Sequence, residues 1–364
     1  MCALYLHIPF CRRKCGYCDF YSSVDLDHID RFVEALFLEM ARYSGPITDS
    51  LYQSLYLGGG SPSLLQSRQI CQIIHEVKKR FRFSSQPEWS IEVNPGTVDS
   101  DKLNTYIDLG FNRLSIGAQS FRQQELDLLE RIHCPGDIKK TVQMARSAGF
   151  QNIGVDLIFG LPEQTLRDWK ISLNVCLDLE PEHISAYALT WSENTPLGRL
   201  ILQGAVSAPD DERVSDQFLK THDCLCEHGY VHYEISNYAK SGYECRHNWQ
   251  YWKGTPYLGL GPSAHSFWKR QRWWNIADVD QYCDRLENGA SPIDSRELLS
   301  EQELKREKIA LGLRTILGIP INDFIQKDYL KILSAEGLAE FQENRWKLTP
   351  RGMLLADEIA VKLV

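Results

Sequence analysis

Six times between residues 3 and 187 a short strand-like run, rich in β-branched, aromatic and leucine residues, gives way to a helical pattern. The runs fall at 3–7, 54–57, 89–93, 113–116, 153–158 and 183–187. Helical periodicity is predicted at about 30–43, 67–81, 99–109, 122–131, 137–148 and 166–178, several of these segments opening on Asp or Ser in capping position. Strands joined through helices run parallel, and right-handed crossovers put the helices outside the sheet. Six such units therefore predict an α/β fold with a parallel sheet, closed or partly closed as a (β/α)6 barrel.

Unusual residues follow these strands. Cys11, Cys15 and Cys18 come after the first, Gly58-Gly59-Gly60 after the second, Asn94-Pro95-Gly96 after the third, Gln119 after the fourth and Gly160-Leu161-Pro162 after the fifth. In a parallel barrel the carboxyl ends of the strands form the active face. Five coincidences favour one shared site over five separate turns.

Past residue 195 the alternation stops. Residues 210–228 read as a helix, and 245–274 hold five of the nine tryptophans, predicting a second apolar surface or pocket beyond the barrel. From about 296, helices at 301–317 and 321–335, a short strand at 345–348 and a last helix suggest a small winged-helix-like domain. The expected division is 1–195, 196–295 and 296–364. Such a domain can bind DNA, but its charge is mixed, and 40 basic against 48 acidic residues leave a net charge of −8. No nucleic-acid partner is expected, and packing is the favoured role.

With 43% hydrophobic and 24% charged residues the chain is ordinary globular material. The first residues show no basic-then-apolar leader, and no apolar run approaches ~18 residues, so a cytoplasmic location is expected. The net acidity supplies no attraction to anionic lipid, although it leaves peripheral contact open. Eleven cysteines is an odd number, with three inside eight residues and the rest scattered, which argues against a disulfide scaffold. The scattered ones, including Cys224 and Cys226, read as small buried hydrophobes.

Cys11-Arg12-Arg13-Lys14-Cys15-Gly16-Tyr17-Cys18 gives the spacing CxxxCxxC. Three thiolates so placed can ligate three irons of a [4Fe-4S] cluster, leaving the fourth iron open. The three basic residues are expected to lower the thiol pKa values and offset cluster charge. Zinc is the chemical rival, with His7 and Asp19 as the nearest fourth ligands.

This spacing, with Tyr17 before the last cysteine, resembles the signature of the radical S-adenosylmethionine (SAM) superfamily. The resemblance implies that SAM binds the open iron and that one-electron reduction cleaves it to a 5′-deoxyadenosyl radical. Gly58-Gly59-Gly60-Ser61-Pro62 is similar to the superfamily's SAM segment, where absent side chains admit backbone to the methionine end. Segments 4–11, 91–95, 114–121 and 155–162 further resemble the oxygen-independent coproporphyrinogen III oxidase group. That likeness implies SAM contacts at Tyr5, Gly59, Gly60, Ser61, Glu92, Gln119, Arg131 and Asp156. Its carboxylates suit ribose hydroxyls or the ammonium, and Arg131 suits the SAM carboxylate.

Two functions compete within this group: oxidative decarboxylation of coproporphyrinogen III, and haem carriage on a retained radical SAM scaffold. The oxidases carry a further cysteine two residues after the third, where this chain has Phe20, and a segment before the motif, which here starts at residue 11. Arg246-His247-Asn248-Trp249-Gln250-Tyr251-Trp252 is similar to the HNxxYW motif of HemW-type haem chaperones. That resemblance implies haem contacts at His247, Asn248, Tyr251 and Trp252, with His247 as axial ligand and the aromatics covering the macrocycle. On the residues alone, His247 and Asn248 could equally be core polar groups supporting an aromatic cluster. His265, in Gly259-Leu260-Gly261-Pro262-Ser263-Ala264-His265, is a second candidate contact. The expected function is a haem chaperone serving acceptor haem proteins of a respiratory chain. A different radical SAM reaction on a planar substrate is the third reading.

Overall fold

The computed structural model describes residues 2–321 and 326–363. Six strands, β1 (Cys2–Ile8), β2 (Leu51–Gly59), β3 (Arg82–Val93), β4 (Arg113–Gln119), β5 (Ile153–Phe159) and β6 (His183–Ala188), pair in sequence order and all in parallel. Between them lie α1 (Ile29–Ala41) with the one-turn α2 (Pro46–Asp49), then α3 (Ser67–Arg80), α4 (Ser100–Leu109), α5 (Gln123–Leu128) with α6 (Pro135–Ala148), and α7 (Leu166–Leu177).

Local sequence explains these helices. In α3, Ile70, Ile73, Ile74 and Val77 recur at three- and four-residue spacing and are fully buried against Leu55, Leu57 and Ile91 of the strands. Burial of each such side chain stabilises by roughly 1.5–3 kcal/mol. Lys78, Lys79 and Arg80 occupy the last turn, where the helix's carbonyl end favours cations. Helix α4 stops at Gly110 and α6 at Gly149, each with φ near +105°, a left-handed cap open to glycine without strain.

After β6 come α8 (Pro196–Leu202), α9 (Asp211–Glu227), β7 (Val231–Glu234), β8 (Asn237–Ala239), α10 (Arg246–Trp252), β9 (Tyr257–Leu260), β10 (His265–Trp268), β11 (Gln271–Asn275), α11 (Val279–Glu287) and β12 (Ile293–Leu298). The resulting sheet has the order β12-β11-β10-β9-β1-β2-β3-β4-β5-β6-β8-β7. Its two ends do not pair with each other, so the barrel is partial.

The aromatic segment thus extends the barrel sheet at the β1 edge, where a separate apolar surface was expected. Strand β9 runs parallel to β1, and β10–β12 follow antiparallel. The junction is tight at Gly261 (φ +99°), where an added Cβ would fall 2.4 Å from the His7 carbonyl oxygen. Buried Glu39 secures it by accepting from Gly261 N, Asn275 Nδ2 and Tyr282 Oη at 2.6–2.7 Å. Trp273 is buried in this sheet, while Trp249, Trp252, Trp268 and Trp274 are half-buried.

The last segment comprises α12 (Glu301–Leu313), β13 (Ile319–Pro320), α13 (Lys327–Ala335), β14 (Ala339–Gln342), β15 (Arg345–Leu348), α14 (Pro350–Met353) and α15 (Ala356–Leu363). Its strands form a small antiparallel sheet in the order β13-β15-β14. Helix α12 ends at Leu313, short of the expected 317, because the chain turns at Gly318 (φ +58°) into β13. Helix formation expected from 321 begins at Lys327, and residues 322–325 lie outside the described residues. Ile309, Leu330, Leu348 and Ile359 share one apolar core with Trp169, Leu173 and Phe218 of α7 and α9, a packing role.

All eleven cysteines are free. Cys2, Cys176, Cys224, Cys245 and Cys283 are buried, as small hydrophobes should be. Cys71, Cys134 and Cys226 are exposed, contrary to expectation, because each falls on the outward face or at the end of an amphipathic helix.

Candidate functional site: the barrel mouth and the buried histidine beneath it

The carboxyl ends of β1–β6 surround a cavity of about 570 Å³. Cys11, Cys15 and Cys18 line it from the loop after β1, all three partly exposed. That loop is held by Cys11 N–H to the Ser23 carbonyl (2.9 Å) and Cys18 N–H to the Cys15 carbonyl (3.2 Å). Ser61 Oγ donates toward Cys11 Sγ (3.7 Å), and Arg131 Nη1 toward Cys15 Sγ (3.5 Å). Burial pushes the Cys11 and Cys18 thiols up, against hydrogen bonds from Ser61 and Ser22 and the charge of Arg131 at Cys11, and the Phe20 backbone and Lys14 at Cys18. Arg13 instead pairs with Glu130 (3.0 Å) on the surface, where such a bridge contributes little.

The glycine run seats the next loop against the first. At Gly60 a Cβ would meet the Phe10 carbonyl oxygen at 2.7 Å, and at Gly59 (φ +108°) the His7 ring at 2.6 Å. Gly60 N–H donates to the Ile8 carbonyl (2.9 Å) and Ser61 N–H to the Phe10 carbonyl (2.7 Å). These missing side chains are thus already required by the protein's own packing, the His7 ring at Gly59 and backbone at Gly60.

Gly59, Gly60, Ser61, Glu92, Gln119, Arg131 and Asp156 all line the cavity. Glu92 accepts from Tyr56 Oη (3.0 Å) and Gly59 N–H (3.1 Å). Burial, then the neighbouring Asp156 charge, push its carboxyl up to about 7. Asp156 accepts from Ser185 Oγ (2.6 Å) and Ser115 Oγ (3.0 Å), and burial raises it too. Gln119 sits at φ +66°, a costly conformation for a residue with a Cβ and one that gathers at binding sites.

Arg131 ties the site together. Its Nη2 donates to Asn94 Oδ1 (2.5 Å) and the Gly117 carbonyl (2.8 Å), and Asn94 Nδ2 donates on to Ser61 Oγ (2.6 Å). Arg131 Nε is buried without a partner. Asn94 opens the Asn-Pro-Gly loop after β3, and its signal in the sequence is a side-chain amide directly after a strand. Arg113 was also missed: it lines the cavity while fully buried, its Nε and Nη1 lacking partners. A charged residue opening an otherwise apolar strand was the available sign.

Tyr5 is placed elsewhere. It is absent from the cavity lining, bonds His7 Nδ1 (3.1 Å) and stacks on Tyr56 (6.2 Å between centroids). It belongs to a buried ring cluster with His247. Glu88 of β3 builds this region by capping α10: its carboxylate accepts from the N–H groups of Arg246 and His247, each at 2.9 Å. The His247 ring is buried, with Nδ1 bonded to Ser54 Oγ and Nε2 to Tyr251 Oη, both at 2.9 Å. Burial first, then the charge of Arg113, pull its pKa down to about 3, so the ring is neutral. Asn248, one residue on, reaches the cavity, whereas Trp252 stands half-buried near Glu234.

The residues present fit a cluster and SAM: three free thiols on one loop, a cavity beside them, and a buried guanidinium with an unused donor. Among the described residues no three His, Cys, Asp or Glu side chains converge as they would on one metal ion.

The radical SAM superfamily profile matches residues 5–176, and that of the HemN C-terminal domain residues 299–355. The chain is 32% identical to the heme chaperone HemW of Mycobacterium tuberculosis over 367 residues, covering 99% of this chain and 94% of that one. With the Bacillus subtilis heme chaperone HemW it shares 33% identity, covering 99% and 98%. Among solved structures it resembles the Escherichia coli coproporphyrinogen III oxidase HemN, a radical SAM enzyme, with a TM-score of 0.85 at 25% identity, covering 99% and 89%. Cysteine loop, partial barrel, terminal domain and near-full-length identity agree: the chain belongs to the HemW family of the radical SAM superfamily, whose cofactors are SAM and a [4Fe-4S] cluster.

Proposed function

We propose that this protein is a haem chaperone, binding haem and handing it to acceptor haem proteins such as those of a respiratory chain. The observation that carries the reading is the match along almost the whole chain to relatives named heme chaperone HemW. Phe20, at the position where the oxidases carry a further cysteine, supports it against decarboxylation of coproporphyrinogen III.

In this reading Cys11, Cys15 and Cys18 hold the [4Fe-4S] cluster, which with SAM supplies one-electron chemistry when bound. Arg131, whose guanidinium lines the cavity, would pair with the SAM carboxylate. Glu92 and Asp156 receive ribose hydroxyls or the ammonium, and Gly59, Gly60, Ser61 and Gln119 shape the seat. Residues 1–195 carry this machinery, 196–295 the haem-binding region, which contains both the His247–Trp252 motif and His265, and 296–364 the packing domain. Among the described residues no helix is long and apolar enough to cross a membrane.

The test is haem transfer. Protein loaded anaerobically with haem is mixed with an apo haem protein and separated from it, and acceptor absorbance is read. Transfer without formation of vinyl product from coproporphyrinogen III is expected. Robust decarboxylation, or no saturable haem binding, overturns the proposal.

A further inference from the structure

Ligating haem iron requires an imidazole with a free lone pair, and the ten histidines differ sharply in offering one. Five are buried, His247 among them with both nitrogens bonded. His28 pairs with Asp280 and His222 with His232. His75, His228 and His265 remain, all exposed. His75 projects from the outer side of α3, and His228 caps the end of α9 with Nδ1 on the Cys224 carbonyl (2.7 Å).

His265 differs from both. Its ring lies stacked against Trp274, centroids 5.5 Å apart and planes at 25°, which fixes the imidazole plane. Phe267, two residues along β10, shares its face of the sheet. Rings connect that face to the HNxxYW helix: Phe267 meets Tyr257 (6.2 Å), Tyr257 meets Tyr251 (4.7 Å), and Tyr251 meets His247 (5.0 Å). The turn closing β10 and β11 carries exposed Lys269, a cation suited to a carboxylate, beside Arg270, which is held by the Leu299 carbonyl (2.9 Å) and Glu301 (3.8 Å).

We infer that haem docks on the β10–β11 face with His265 as its axial ligand, while His247 is a positioning residue that holds Tyr251 and the ring series behind that face. This rests on the haem-chaperone reading above. Burial also lowers the His265 pKa, which keeps the ring neutral and its lone pair available at pH 7.

The experiment is an anaerobic titration of the full chain with haemin, followed at the Soret band, for the unsubstituted protein, His265→Ala and His247→Ala, with far-ultraviolet circular dichroism of each. His265 is exposed, so its loss leaves the fold intact. His265→Ala is expected to abolish the ligation shift and raise the Kd for haemin by about tenfold or more. Millimolar imidazole should restore the shifted band in that variant. His247→Ala, where circular dichroism shows it folded, is expected to keep the ligated band position. An unchanged band and Kd in His265→Ala overturn the inference while leaving the chaperone reading standing. No saturable binding by the unsubstituted chain overturns both.

Discussion

The mouth of the barrel and the ring cluster beneath α10 are built from the same kinds of residue and treat them oppositely. At the mouth, polar groups are held in place but left with capacity to spare: three free thiols, Arg131 with Nε unused, and Glu92 and Asp156 facing a cavity. Under α10 that capacity is consumed internally, His247 by Ser54 and Tyr251, and Glu88 by the first N–H groups of the helix. A buried polar group whose bonds are complete contributes to folding, and one that faces a cavity with bonds incomplete can take a ligand. Motif membership does not separate the two cases, but hydrogen-bond accounting does.

The sharpest test of the contrast is Cys15→Ala. Complete loss of the broad near-ultraviolet and visible absorption after anaerobic reconstitution is expected, with unchanged circular dichroism. A surviving spectrum would remove the cluster from the mouth. Next is Glu88→Ala, which strands two N–H groups at the start of α10. It should lower stability by about 3 kcal/mol in denaturant unfolding while SAM binding persists in the folded protein.

Glu92→Gln probes the mouth from the stability side. Glu92's folded pKa is raised to about 7 from 4.5, so its buried charge costs stability progressively as pH rises from about 4.5 to 7, and fully above that. The variant should therefore be more stable than the parent at pH 8, by about 2–3 kcal/mol, with no gain near pH 4. Its SAM affinity should fall in isothermal titration. Equal stability of variant and parent at pH 8 would mean that the carboxylate is not held against a desolvation cost.

Arg131→Lys keeps the charge and loses the planar fork that spans Asn94 and Gly117. SAM binding should weaken about tenfold, or 1.4 kcal/mol, with a fall in melting temperature smaller than that of Glu88→Ala. The smallest effect belongs to Ser54→Ala, which removes one of two partners of the neutral His247 ring. About 1 kcal/mol of stability and an unchanged haemin spectrum are expected. A shifted Soret band would return the axial role to His247.

Much of this was legible beforehand. The six strand–helix units fall where periodicity placed them, and the cysteine loop lies at the carboxyl end of its strand, because spacing along a parallel strand fixes which end a residue reaches; seven of the eight positions that the family resemblance marked for SAM line the same cavity. Tyr5 escaped because its neighbours in space, Tyr56 and His247, come from distant segments. The aromatic stretch escaped for a related reason: nothing local in 257–275 says that β9 pairs with β1, 254 residues earlier in the chain. Arg113 and Glu88 escaped because an isolated charge in a strand does not announce its partners.

The chain by itself determined the repeating unit, the chemistry of the three thiols and the face on which they lie, since each depends on residues close in sequence. The tertiary structure alone decided which histidine is sealed and which is open. His247 and His265 sit eighteen positions apart in equally aromatic surroundings, yet one is covered by strands β1 and β2 and the other faces solvent beside Trp274. Burial and lone-pair occupancy are properties of long-range packing, which local sequence does not encode.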